Sequence, residues 1–111
     1  MIAKTNRFTR RQFAAARKRM KSFRSGPFLF LYRTEKTLPS RFAVVVKKKN
    51  DKRATVRNHF KRSVYNQLRT HVLPHFDHLQ MICLHQGPGF DQAPSVKAIA
   101  DFTEHYKKKI S

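Results

Sequence analysis

Eight Lys or Arg residues and one acid occupy positions 47–62, KKKNDKRATVRNHFKR. Ammonium and guanidinium groups at this density do one kind of chemistry well: they neutralise phosphates. The stretch changes character halfway. Up to Arg53 it reads as a loop of solvated charge. From Thr55 apolar residues recur at helical spacing, so Arg57, Asn58, Lys61 and Arg62 become a rigid array able to match the phosphates of one structured nucleic acid. A helix face laced with its own ion pairs would interleave Glu and Asp, and residues 55–73 contain neither.

Aromatic residues beside basic ones form a second constellation. Phe13, Phe28, Phe30 and Tyr32 lie within residues 1–34, which hold ten basic residues and no acid. Exposed rings next to phosphate-neutralising charge make stacking platforms for unpaired bases. Core packing is the competing reading, and for any single Phe the stronger one.

Other chemistries are poorly supplied. The six acids are scattered, with no close pair to hold two hydrolytic metals. His71, His75 and His78 have a spacing that invites a zinc site, but Pro74 interrupts the helix between them and no cysteine is near. Cys83 falls in an apolar strand and reads as core. No glycine-rich phosphate loop is present. The polypeptide is expected to hold no catalytic residue and no metal site of its own.

The formal net charge of +19 over 111 residues dominates the composition. Self-repulsion at that density opposes compaction, and such a surface belongs to proteins that neutralise a polyanion. The charge is segregated: residues 41–69 hold ten basic residues against Asp51, whereas residues 70–106 hold Lys97 and four acids. Blocks of this kind mark an interaction surface. The length suits one domain with a modest core, and ten Phe supply it. Apolar runs of five residues at most cannot span a bilayer. MIAKTNRF has no signal-peptide core, and one cysteine suits a reducing compartment. The expectation is a soluble, cytoplasmic protein without a membrane.

The elements that must position these groups follow from periodicity. Residues 9–20 predict a short helix with Thr9 as N-cap and Phe8 as an entry staple. Ser25-Gly26-Pro27 breaks the pattern. Residues 28–33 alternate as a strand, with Phe28, Phe30 and Tyr32 on one face and Leu29 and Leu31 on the other. Residues 41–47 form a second strand, most simply in a hairpin with the first.

Residues 55–73 predict the best helix. Val56, Phe60, Val64 and Leu68 form its apolar stripe, and Asn58, Arg62, Tyr65 and Arg69 cluster opposite, flanked by Lys61. Residues 79–85 are a third strand. Residues 95–110 are a final helix with Val96, Ile99, Phe102, Tyr106 and Ile110 inward. The order αββαβα makes an α+β single domain, a small sheet packed by helices.

Four stretches of the sequence carry a resemblance. ATVRNHFKRSVYNQLR is similar to the signature helix of the bacterial ribonuclease P protein component, with Arg57, Asn58, Lys61, Arg62 and Arg69 at the matching positions. RFAVVVKKKN resembles that family's second strand running into a Lys pair, Lys48 and Lys49. NRFTRRQF resembles its opening, ending in Phe13, and FLFLYR its first strand. The resemblance spans roughly residues 6–109 of the single 1–111 domain. His59, Tyr65, Asn66 and Arg17 depart from the family pattern.

The resemblance implies a protein subunit that binds a large catalytic RNA and the 5′ leader of precursor tRNA. The RNA, with Mg2+ bound mainly by it and the substrate, cuts the leader and so matures the tRNA 5′ end. Catalytic RNA would be contacted by Lys52, Arg53, Arg57, Asn58, Lys61, Arg62 and Arg69. The leader would lie in a cleft between the first helix and the sheet, against Phe13, Phe30, Tyr32, Lys48 and Lys49. No obligate protein partner is implied. The family fold carries a left-handed βαβ crossover, against the usual hand. A structural RNA-binding protein without a role in cleavage is the rival reading, and a DNA-binding protein with residues 55–73 in a major groove the second.

Overall fold

The computed structural model describes residues 7–9, 11–12, 19–46, 53–86 and 92–110. Four strands form one sheet: β1 (Lys21–Ser25), β2 (Phe28–Thr34), β3 (Arg41–Val46) and β4 (Leu79–His85), in spatial order β1-β2-β4-β3. Two helices, α1 (Ala54–His71) and α2 (Gln92–Ile110), pack on it, giving the α+β class expected. Both fall within a few residues of their predicted bounds. A 3-10 turn at Leu73–His75 follows α1, with Pro74 inside it.

Strand β4 organises the sheet. Its sequence, LQMICLH, is buried along almost its whole length on both faces, which suits a central strand rather than an edge. It pairs antiparallel with β2 and parallel with β3. The expected β2–β3 hairpin is therefore not formed, because β4 lies between them. Since β3 and β4 are parallel neighbours joined through α1, the unit is a βαβ crossover.

The segment linking β2 to β3 crosses the start of β4 and is tied to it by hydrogen bonds. Glu35 N donates to His78 O at 3.0 Å. Gln80 Nε2 donates to Pro39 O at 2.7 Å. Ser40, 2% exposed, donates its hydroxyl to Phe76 O at 2.6 Å and accepts from Leu79 N at 3.0 Å.

Strand β1 was not foreseen. KSFRS carries one large apolar side chain, too little to signal alternation. Ser25-Gly26-Pro27 is the hairpin turn that joins it to β2, with Ser25 opposite Phe28 and Gly26 at φ 55° in the first turn position.

One face of the sheet is the core. Phe28, Phe30, Tyr32, Phe42, Val44, Met81 and Cys83 meet Phe60, Val64 and Leu68 from α1 and Ile99, Phe102 and Tyr106 from α2. Ring pairs run through it: Phe28–Phe30 at 5.5 Å, Phe30–Phe102 at 5.3 Å and Phe76–Tyr106 at 4.8 Å between centroids. Val96, expected inward, is 54% exposed; the side chain of Ile110 lies outside the described residues.

His85 is buried on the core face, its ring 4.8 Å from Phe60 and 5.2 Å from Phe28. Burial pushes its pKa below the ordinary 6.5. The unfolded chain then takes up a proton near pH 6.5 that the folded chain refuses until lower pH, so His85 removes stability as pH falls through that region. The urea midpoint should drop between pH 7 and 5, and His85→Phe should drop less. Parallel declines in the two proteins would show that His85 does not titrate in this way.

Candidate nucleic-acid interface

Helix α1 divides by face as the sequence requires. Phe60, Val64 and Leu68 are buried, while Asn58, Arg62 and Arg69 are exposed and Arg57 and Lys61 half-buried on its flanks. Arg53, exposed, occupies the N-cap position without a side-chain capping bond, and no acid lies in the first turn. The positive end of the helix dipole normally attracts carboxylates. Here Arg53 and Arg57 add to its field instead. The result is a fixed positive face, suited to a run of phosphates.

Tyr65 leaves that face. Its hydroxyl accepts a hydrogen bond from Val44 N at 3.2 Å, on the outer edge of β3. Half-burial pushes the phenol pKa up, partly offset by the Val44 bond and the nearby Arg7 charge. The same edge is covered at Phe42, where Arg7 forms a parallel bridge and Phe8 N donates to Phe42 O at 3.3 Å. Tyr65 thus closes a sheet edge rather than presenting a phenol to RNA.

The strand face expected to stack on bases turns inward instead. Phe30 is 0% and Tyr32 4% exposed, both beneath α2. Neither offers a stacking surface. The strand is apolar on both sides, so alternation alone could not say which side was core, and the choice of parity reverses every side chain.

By register, the opposite face of the sheet carries Leu29, Leu31 and Arg33 from β2, Gln80, Ile82 and Leu84 from β4, and Arg41, Ala43 and Val45 from β3. Leu29 and Leu31 are half-buried, and Val45 is exposed.

On this face a cavity of about 190 Å³ lies between Phe8 and Gln12 on one side and Arg33, Glu35, Leu38, Arg41 and Gln80 on the other. Thr9 and Gln12 close a reciprocal capping box, Gln12 N donating to Thr9 Oγ1 at 3.2 Å and Thr9 N to Gln12 Oε1 at 2.9 Å. That supports Thr9 as the predicted cap, with Arg11 and Gln12 helical. Arg33 is held by Glu35, Nη2 to Oε2 at 2.7 Å. Phe13, Lys48, Lys49 and Lys52 lie outside the described residues. Arg33, Arg41 and Gln80 were missed by sequence reasoning; the parity of β2 was the signal that would have found Arg33.

Among the described residues, no group of three His, Cys, Asp or Glu stands close enough to hold a metal. His78 Nδ1 is engaged with Leu38 O at 2.8 Å. Complete burial pushes the Cys83 thiol far up, leaving it unsuited to act as a nucleophile. No helix among these residues is long and apolar enough to cross a membrane.

The family model described as Ribonuclease P matches residues 2–109. The chain is similar in fold to the RNase P protein of Staphylococcus aureus, with a TM-score of 0.77 at 19% identity over 92% of this chain and 95% of that one. The RNase P protein of Thermotoga maritima aligns with a TM-score of 0.67 at 24% identity, covering 84% and 89% of the two chains. The same Thermotoga maritima protein in complex with 1-(4-fluorophenyl)-2-thiourea aligns at 30% identity over 68% and 70%, with a TM-score of 0.59. No curated protein matches the chain in sequence.

Phe30→Ala separates core from ligand contact. Removing a fully buried ring should cost on the order of 3–5 kcal/mol of folding stability, read by chemical denaturation. A variant of unchanged stability that lost affinity for single-stranded RNA would restore Phe30 to the interface.

Proposed function

The chain belongs to the Ribonuclease P family, and on that premise we propose that it is the protein subunit of a ribonucleoprotein that matures the 5′ end of tRNA. It binds a catalytic RNA through α1 and the single-stranded leader of precursor tRNA along the second face of the sheet. One observation carries this reading: α1 exposes Asn58, Arg62 and Arg69 and contains no acid, so its face has no internal counter-charge. Arg53, Arg57 and Lys61 complete the same surface.

The leader contact moves from Phe30 and Tyr32 to the cleft walled by Phe8, Gln12, Arg33, Arg41 and Gln80, where Glu35 holds the Arg33 guanidinium in place. Phe13, Lys48 and Lys49 remain part of the proposal through the family resemblance alone.

The described residues offer no carboxylate cluster suited to Mg2+. In this reading the ion belongs to the RNA partner and substrate. The protein's own residues neutralise phosphates and hold the leader, which raises substrate affinity and lowers the Mg2+ the RNA requires. The cytoplasm is the compartment in which that partner and substrate would be met.

Burial of Phe28, Phe30 and Tyr32 favours a second reading, a structural RNA-binding protein that holds folded RNA without serving cleavage. Precursor-tRNA cleavage at low Mg2+ by the catalytic RNA of the same genome distinguishes the two. With this protein added, cleavage at the correct phosphate should be rescued. Binding to both RNAs without stimulation would establish the structural reading instead.

Arg62→Ala tests the α1 face directly. The slope of log affinity for the catalytic RNA against log salt should flatten by roughly one unit. An unchanged slope would remove Arg62 from phosphate contact.

A further inference from the structure

A cavity of about 440 Å³ opens where the start of β1, the end of β2 and the last turn of α2 converge. None of its lining residues belongs to α1. Arg19, Lys21, Arg33 and Lys109 bring cations to it from separate parts of the chain, beside Thr34 and Tyr106. No carboxylate is among the lining residues. Arg33 is already ion-paired with Glu35 at 2.7 Å, so it brings an oriented donor to the cavity, and the added positive charge comes from Arg19, Lys21 and Lys109. Lysines at a helix C-terminus complement the dipole, which accounts for Lys109. It does not account for Arg19 and Lys21 meeting it in one concavity. Cations gathered this way raise one another's energy, and an anion between them relieves it.

The polar groups suit a phosphate. The hydroxyls of Thr34 and Tyr106 bond to each other, so one O–H supplies that bond and the other is left for an acceptor in the cavity. Guanidinium, ammonium and hydroxyl together make a phosphate-donor set. The rings of Tyr32 and Tyr106 are buried at 4% and 3% exposure, so no ring face is offered to a base.

His105 stands beside the cavity through Tyr32 and can report on it. Its Nε2 is 2.9 Å from the Tyr32 hydroxyl. Desolvation, and then the Lys109 and Lys108 charges, hold its pKa below 6.5.

We propose that this cavity binds phosphate groups without regard to base, as a second anion site distinct from the α1 face. Arg33 walls both this cavity and the one beside Phe8, where Glu35 pairs with it, so the two cavities adjoin through one guanidinium. A backbone phosphodiester of RNA is one source of the ligand, and a free polyphosphate the other.

The probes are inorganic pyrophosphate and precursor tRNA, each against the wild-type protein and a Lys21→Ala/Lys109→Ala double variant. By NMR, pyrophosphate should shift the amides of Lys21, Thr34 and Lys109 and raise the His105 pKa, and the double variant should lose both effects. If RNA supplies the phosphate, the salt slope for precursor tRNA should also fall by roughly two units in the double variant. Pyrophosphate binding with an unchanged RNA slope supports the site with a free polyphosphate as its ligand. Shifts that persist in the double variant, or no shifts at all, overturn the site. A reduced RNA slope without pyrophosphate shifts overturns it too, since that is diffuse surface charge. The proposal stands apart from the α1 reading, because Arg62→Ala reports on that face whichever way these results fall.

Discussion

The strand Leu79–His85 must be covered on both faces and along both edges, and the architecture follows from that requirement. A strand of near-continuous apolar side chains cannot sit at a sheet edge without exposing them, so β2 takes one edge and β3 the other. The link between β2 and β3 must then pass the start of β4, and the buried Ser40 hydroxyl joins the two by serving Phe76 O and Leu79 N together. Helix α1 is obliged to cross from β3 to β4. That crossing fixes which of its faces meets the core and which carries Asn58, Arg62 and Arg69 outward.

Much of this was legible in the sequence, and the failures have physical causes. The 3.6-residue repeat of Phe60, Val64 and Leu68 located α1 and its charged face. The unbroken apolar run of β4 located the strand but not its neighbours, because pairing depends on burial at both edges and not on local order. β1 has one large apolar side chain and gave no signal. On β2, Phe30 and Leu31 are both apolar, so alternation could not identify the core side. Tyr65 sat at the angle of the charged face, yet its ring reaches back to the free N–H of Val44. The proposed partner came from the family resemblance, which no periodicity could supply.

The charge has a thermodynamic side. Twenty-five basic residues against six acids repel one another in the folded state more than in an expanded chain. Interlocked rings, with Phe102 touching Phe30 and Tyr32 and stacking on Tyr106, offset that repulsion from within. A polyanionic partner of the kind proposed would remove it from without, since a ligand that binds only the folded form adds to its stability by mass action.

The central place of β4 also sets an order of events in synthesis. β1 and β2 are joined by a two-residue turn and can pair as soon as both have left the ribosome. β3 cannot join them: its only sheet partner among the four strands is β4, which lies about thirty residues further along the chain. Until Leu79–His85 emerges, β3 has no strand partner among the four and α1 has no completed sheet to pack on. The sheet cannot be complete before its middle strand is in place.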